Sequence, residues 1–479
     1  MLRKILQSQG SIALILVIMI TSLTLISAVA LTLVNVSEKM ANYQLEENVD
    51  VLNQKQACLD DAMVRISNNN YATGTYALDL TNVHCYYQIS DTVTGLKTVT
   101  TTASSLSSVG IWSQSLRAIV NVSSTPISMN SYQDIVGAAW DSSAWSRRMR
   151  ISVQPSKVGG DLYNFPVYVD LSTLGASFFD LAQSDGGDIV VTLGDGTTKL
   201  LRELVAIDTG AADTGELHFL APYLSAQVAT DFYIYFGNAV ANEANDDGVW
   251  VDYKVVQHFN NDPSGTAPQM IDSSINNYDG TSAGTMTNGD LVVGKLGNSL
   301  ELDGTDDYIS LTDYDYVDLG TDDFTISIWV NTTSLINNYM FSKYQTTNDR
   351  WYARVDAGGR LQFYNMVAGT ARIQMYPSTV IGLDSGQWGH IIFASDRDTS
   401  NYIYKNGQVL TLSTNVTYTS AVSPSIDFRI GSYNGDGFDG KLDEVRFANK
   451  AFSAARISTE YNNQNSASTF YSTTTPEVL

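Results

Sequence analysis

Residues 11–34, SIALILVIMITSLTLISAVALTLV, carry no charge, no glycine and no proline. About 20 apolar residues cross a bilayer as a helix, so this run is long enough to do so. Arg3 and Lys4 precede it with no acid nearby, which keeps that flank on the cytoplasmic side. No glycine or proline follows until Gly74, and beyond the apolar run the residues return at helical spacing. One helix from Ser11 to about Ile66 would be roughly 84 Å long at 1.5 Å per residue, a shaft rather than a globular element.

Three readings fit this segment. Ala28-Val29-Ala30 offers a small-residue site for removal of a secretory signal peptide. A plain signal anchor is the second. The third rests on the basic leader ending at Gln9-Gly10, the apolar helix, and Cys58 and Cys85 in a small head with strand-like pieces at 84–89 and 116–122. In these features residues 1–130 resemble type IV pilin-like proteins. The resemblance implies a leader over 1–10, cut by a prepilin peptidase between Gly10 and Ser11. It also implies a membrane part over 11–34 within a pilin-like helix and head over 11–130, and other pilin subunits as partners. One departure matters. Major pilins place Glu at the fifth residue after the cut, where it meets a neighbour's terminal amine; here that residue is Ile15. A minor pilin at a tip, or a chain processed like a pilin that never polymerises, follows from it. A Cys58–Cys85 disulfide closing the head fits an exported protein and would add roughly 3–4 kcal/mol in the loop-entropy model.

The remaining chain is β-patterned. Residues 131–143 read as a linker, and 144–245 as a β-sandwich of short strands divided by Gly and Asp. Trp145-Ser146-Arg147-Arg148, Gly187-Asp188-Ile189-Val190 and the run Tyr233, Ile234, Tyr235, Phe236, Gly237, Asn238 are similar to an uncharacterised bacterial domain that often precedes laminin-G-like domains. His218 and Asp188 read as ordinary polar residues. Over 246–465 the ordered series GKLGNSLELDGTDDYISL, DDFTISIWVNTT, QWGHIIFASDRDTSNYIYKNGQV and GKLDEVRFANKAFSAARISTEY resembles a laminin-G-like, concanavalin A-like jelly roll. Phe324, Ile326, Ile328 and Val330 alternate with Thr325, Ser327, Trp329 and Asn331, as in a strand with one core face. Asn406-Gly407 signals a two-residue hairpin, and Ser453 a helix cap. Residues 466–479 read as a polar tail. The expected fold class is therefore multidomain and mainly β: a long transmembrane α-helix with a small α+β head, a β-sandwich, and a jelly roll.

Charge restricts function. With 50 acids against 27 bases the net charge is −23, which repels nucleic acid and excludes it as a partner. Asp303, Asp306, Asp307, Asp313, Asp315, Asp318, Asp322 and Asp323 fall together, with no Lys or Arg between Lys295 and Lys343. Carboxylates so close are solvated, spread over faces, or bridged by a cation such as calcium, which prefers oxygen ligands. In jelly-roll relatives a structural calcium often joins the first and last strands, which implies Asp303 and Asp443 as metal ligands here.

Catalysis is poorly served. A glycosidase needs two carboxylates facing one another across a sugar, whereas adjacent Asp443 and Glu444 should point to opposite faces of a strand. The four histidines sit in no nucleophile or zinc signature. The expected protein is a non-enzymatic, surface-displayed minor pilin-like adhesin, anchored in the inner membrane before assembly. Its C-terminal domains would bind glycan or protein, with Trp351, Tyr352, Tyr364, Tyr376 and Tyr433 as candidate stacking residues. The alternative is a membrane-anchored glycosidase of the concanavalin A-like fold.

Overall fold

The computed structural model describes residues 57–67, the strands between 74 and 135, and 142–479 apart from 211, 313–317, 335–337, 384 and 422–423. The leader, the Gly10–Ser11 cut and the apolar segment 11–34 lie outside these residues. Among those described, no helix is long and apolar enough to cross a membrane. The chain divides into two compact units, Met1–Gly137 and Ala138–Leu479.

In the first unit, residues 57–67 are helical and bury Cys58, Leu59, Ala62 and Ile66, a spacing of three to four that lines one helical face. Five antiparallel strands follow in chain order: Gly74–Leu80, Val83–Val93, Leu96–Ser107, Gly110–Asn121 and Ser128–Ile135. Tyr87, Ile89, Val99 and Val120 are buried on this sheet, and the Tyr87 hydroxyl meets Asp61 and Arg65 of the helix. Cys58 is disulfide-bonded, and Cys85 is the only other cysteine in the sequence.

The second unit is layered. A three-stranded sheet (Leu162–Asp170, Thr214–Leu224, Arg202–Asp208) packs on a sheet built around Arg147–Val153, Thr230–Phe236 and Val190–Leu193. The odd residues of Thr214–Leu224 face that partner, with Phe219 against Phe232 at 4.8 Å between ring centroids. Asp188 is not incidental: its carboxylate accepts from Gln183, Gly237 and Asn238 backbone N–H groups, and its carbonyl accepts from Trp145 Nε1. It thereby ties together the three sequence pieces that mark this domain.

Two eight-stranded antiparallel sheets form the jelly roll. The first contains Asn298–Asp303, Asp439–Ala448, Phe324–Asn331, Gly389–Asp396 and Ser400–Lys405; the second contains Tyr308–Leu311, Phe428–Ile430, Asn338–Thr346, Asp349–Val355, Leu361–Val367 and Thr370–Pro377. Their inner faces share one core, including Phe324, Ile326, Ile328, Val330, Trp351, Phe363 and Phe428. Burial of side chains this large contributes about 1.5–3 kcal/mol each. Asn406 and Gly407 have φ of 52° and 73°, the left-handed pair a tight hairpin requires. The Ser453 side chain accepts from Arg456 N and caps the helix Ala454–Asn465.

The helix Ala454–Asn465 bridges the domains, with Asn463 exchanging hydrogen bonds with the Tyr168 backbone and Arg456 donating to the Tyr163 and Asn164 carbonyls. One expectation changes here: residues 466–479 are not a free tail. Tyr471–Thr473 and Glu477–Val478 pair with Arg147–Val153, so the chain's last strands complete the middle domain's sheet. An unpaired edge there would leave backbone donors and acceptors exposed, and these strands satisfy them.

Candidate functional site: an open aromatic face and a covered ionic one

The outer face of the second jelly-roll sheet is open and aromatic. Strand alternation sends Trp351, Phe363 and Met375 into the core and Tyr352, Tyr364 and Tyr376 outward. Trp351 is therefore a core residue and not a stacking platform, since it is fully buried. Tyr352 lies opposite Tyr364 in the ladder, their rings stacked at 5.5 Å. Tyr433 stacks on Tyr339 at 4.4 Å and meets Tyr344 and Tyr352 edge-on, each at 5.0 Å. The Arg354 guanidinium sits 5.3 Å from the Tyr339 and Tyr352 ring centroids and donates to the Tyr339 hydroxyl at 2.9 Å. Gln362 accepts from Arg354 and donates to the Tyr376 hydroxyl at 2.7 Å. Rings held this way present flat apolar area with a guanidinium and hydroxyls between them, at little further entropic cost on binding.

The outer face of the first sheet is covered, and it is ionic. On Asp439–Ala448 the core receives Leu442, then Val445 and Phe447, so the alternation skips. The ladder explains this: Trp329 pairs with Asp443 but Ser327 pairs with Arg446, leaving a bulge. Glu444 occupies it with φ of 52°, a left-handed conformation uncommon outside glycine. Asp443, Glu444 and Arg446 consequently share the outer face, contrary to the expectation that the two acids diverge. All three are buried beneath the middle domain and the helix Ala454–Asn465.

Four side chains from both domains converge on this face. Glu216 and His218, two apart on Thr214–Leu224, point the same way. His218 Nε2 is 2.9 Å from Glu216 Oε1. His258 Nδ1 lies 3.4 Å from that same oxygen and 2.5 Å from Glu444 Oε1. One ligand atom from each of Glu216, His218, His258 and Glu444 falls within 4.8 Å of the others, and all four residues are buried. The two imidazoles stack at 5.0 Å. Around them Arg446 pairs with Glu444 and lies 4.7 Å over the Trp250 ring. Glu203 accepts from Trp250 Nε1 and Ser273 Oγ, and its Oε2 is 3.4 Å from His258 Nε2.

The electrostatics follow from burial and neighbours. Burial would raise the Glu444 carboxyl, but His258 and Arg446 outweigh it and hold it well below the ordinary range. Burial would lower His258, but Glu444 and Glu203 reverse that and raise it well above its usual value. Burial lowers His218 despite Glu216. His390, stacked on Trp329 at 4.8 Å, is pushed by burial down to about 4.

Asp303 and Asp443 are not brought together. Asp303 pairs with Asp439, four residues before Asp443, or roughly 13 Å along the strand. Asp443 Oδ2 accepts from Lys295 and Leu296 N–H at 2.7 and 3.0 Å, while burial and then Glu444 push its carboxyl well above the ordinary range. A fully buried acid whose Oδ2 is already held by two backbone N–H groups is a poor calcium ligand. Asp303 instead groups with Asp306 and Asp307 at the rim, their oxygens within 4.8 Å of one another. The Gly294–Gly297 turn wraps the covered acids closely: a Cβ on Gly297, whose φ is +49°, would lie 2.5 Å from Glu216 Oε2. The sequence alone singles out neither Glu216 nor His258, reads His218 as an ordinary polar residue and sets Glu444 on the strand face opposite Asp443. The signal that could have found them is the Glu216-x-His218 spacing, which sets both side chains on one face of a strand.

This fold and its two faces define a concanavalin A-like jelly roll joined to a smaller β-sandwich. Residues 303–458 match the laminin-G family model of the concanavalin A-like lectin/glucanases superfamily. No curated protein matches the chain. Among solved structures it is similar to the binding domain of Paraclostridial Mosquitocidal Protein 1, at 15% identity and a TM-score of 0.34 over 43% of this chain and 52% of that one. It is also similar to domain 4 of AbnA, a GH43 extracellular arabinanase from Geobacillus stearothermophilus in complex with arabinotriose, at 20% identity and 0.34 over 44% and 98%. A SAP-like pentraxin from Limulus polyphemus matches at 20% identity and 0.24 over 29% and 68%. This chain spans about half the length of the mosquitocidal binding domain.

Proposed function

We propose that this protein is a non-catalytic, surface-displayed adhesin that binds glycan through the open tyrosine–arginine face of its jelly roll. The observation that carries this reading is the ordered Tyr339, Tyr352, Tyr364, Tyr376 and Tyr433 array with Arg354 set among it. Asp443 and Glu444, the adjacent acids weighed for glycosidase chemistry, are fully buried and cannot meet a sugar. The match to a lectin/glucanase superfamily model supports a carbohydrate-binding fold without deciding between binding and hydrolysis. On a polysaccharide panel the protein is expected to be retained by at least one glycan and to release no reducing sugar. Turnover that survives purification contradicts the reading.

Display belongs to the same proposal. The minor pilin-like N-terminus would be cut between Gly10 and Ser11, held in the inner membrane by residues 11–34, and passed to a pilus with other pilin subunits. Gly10→Val is expected to block maturation, and the mature protein to begin at Ser11. A mass-spectrometric start at Leu31, or at Met1 with nothing removed, contradicts it. A structural calcium, if the protein carries one, belongs to Asp303, Asp306 and Asp307 and not to Asp443.

A further inference from the structure

We propose that Glu216, His218, His258 and Glu444 form a closed site for a divalent transition metal, best matched by zinc, that clamps the middle β-sandwich onto the jelly roll. Geometry points to it first. Zinc held tetrahedrally by His nitrogen and carboxylate oxygen at 2.0–2.2 Å needs ligand atoms about 3.3 Å apart. Here the separations about Glu216 Oε1 are 2.9 Å to His218 Nε2 and 3.4 Å to His258 Nδ1. The fourth atom, Glu444 Oε1, is 2.5 Å from His258 Nδ1, a contact that a metal between them would open by less than an ångström. Imidazole in the set selects a transition metal over calcium or magnesium.

Charge points the same way. Glu203, Glu216, Glu444 and Glu460 are four carboxylates gathered at one buried place, and Arg446 is the guanidinium paired with Glu444 and Glu460. With both imidazoles neutral, as ligation requires, the carboxylates outnumber the guanidinium and a net negative charge remains there. Burying an unpaired charge costs several kcal/mol, and a dication removes that cost.

Two further features belong to metal sites. Glu203 stands 3.4 Å from His258 Nε2, on the far side of the ring from Glu216 and Glu444, and is itself fixed by Trp250 and Ser273. A carboxylate behind a ligating histidine sets its tautomer and orientation. Glu203 also lines an open cleft of about 440 Å³ with Asp246, Asp247 and Asp272, an acidic lining that attracts cations to the outer side of His258.

The test is metal analysis of the full-length protein, purified in detergent without chelator. One zinc per chain is expected. After stripping, titration with cobalt(II) should give the visible absorption of a tetrahedral site at one equivalent, displaced by zinc. His218→Gln and His258→Gln should each abolish that spectrum. Glu203→Gln should weaken zinc 10–100-fold while leaving the stoichiometry, and Asp306→Asn should change nothing. Absence of both copurified metal and a tetrahedral cobalt spectrum in the wild-type protein overturns the proposal, whatever the variants' folding. So does a metal that persists unchanged in His218→Gln and His258→Gln.

Discussion

The jelly roll has two outer faces made from the same strand alternation, and they have opposite fates. One carries Tyr364, Tyr376, Tyr433 and Arg354, part-exposed around the buried Tyr339 and Tyr352; the other carries Asp443, Glu444, Arg446 and His390 and lies wholly beneath other elements. Ionisable residues thus lie where the two domains meet, while part of the aromatic array stays accessible. The density of acids in the sequence marks neither face. It marks the loop at Asp303, Asp306 and Asp307, where two carboxylates are exposed and the buried third accepts from the Thr285 and Asp303 backbone N–H groups.

The contrast is testable first through stability. Arg446→Met strips Glu444 of its paired guanidinium in a fully buried place and should cost about 3–5 kcal/mol in urea unfolding. Arg354→Met on the open face, where solvent screens the change, should cost under about 1 kcal/mol. Equal losses would mean that the covered face is not the structural one.

A second prediction uses His390, whose folded value near 4 is depressed from an ordinary 6.5 by burial. Between those values the unfolded chain binds the proton and the folded one does not, so stability falls as pH drops from about 6.5 towards 4. The full effect of this one group is on the order of 3 kcal/mol, from 1.36 kcal/mol per pH unit. His390→Gln should flatten that part of the profile. An unchanged slope would place the titration elsewhere on the covered face.

Much of this contrast was legible in the sequence, and the part that was not has physical causes. Alternation in Phe324–Asn331 gave the core face correctly because the period of two is local. The Asn406-Gly407 hairpin and the Ser453 cap are local too, set by φ and by one side-chain acceptor. The Glu444 bulge is invisible locally, because nothing in LDEVRF announces a residue with positive φ. It reverses the conclusion drawn from Asp443-Glu444, by placing both acids on one face. Glu444 is more than 200 residues from Glu216 and His218 in the chain, so their meeting depends on the domain packing that strand period cannot report. The pairing of Tyr471–Thr473 with Arg147–Val153 is a long-range choice of the same kind.

Binding on the open face is the claim most worth direct measurement. The decisive comparison is affinity, by calorimetry on whichever polysaccharide retains the wild-type protein, between that protein and Tyr364→Ala, Tyr376→Ala and Arg354→Ala. Central aromatic and arginine contacts typically contribute more than about 1.4 kcal/mol, so each variant should bind about tenfold more weakly or worse. Melting temperatures should stay close to wild type, and Arg360→Ala, outside the array, should bind normally. Affinity unchanged in all three array variants would contradict the assignment of that face as the ligand site.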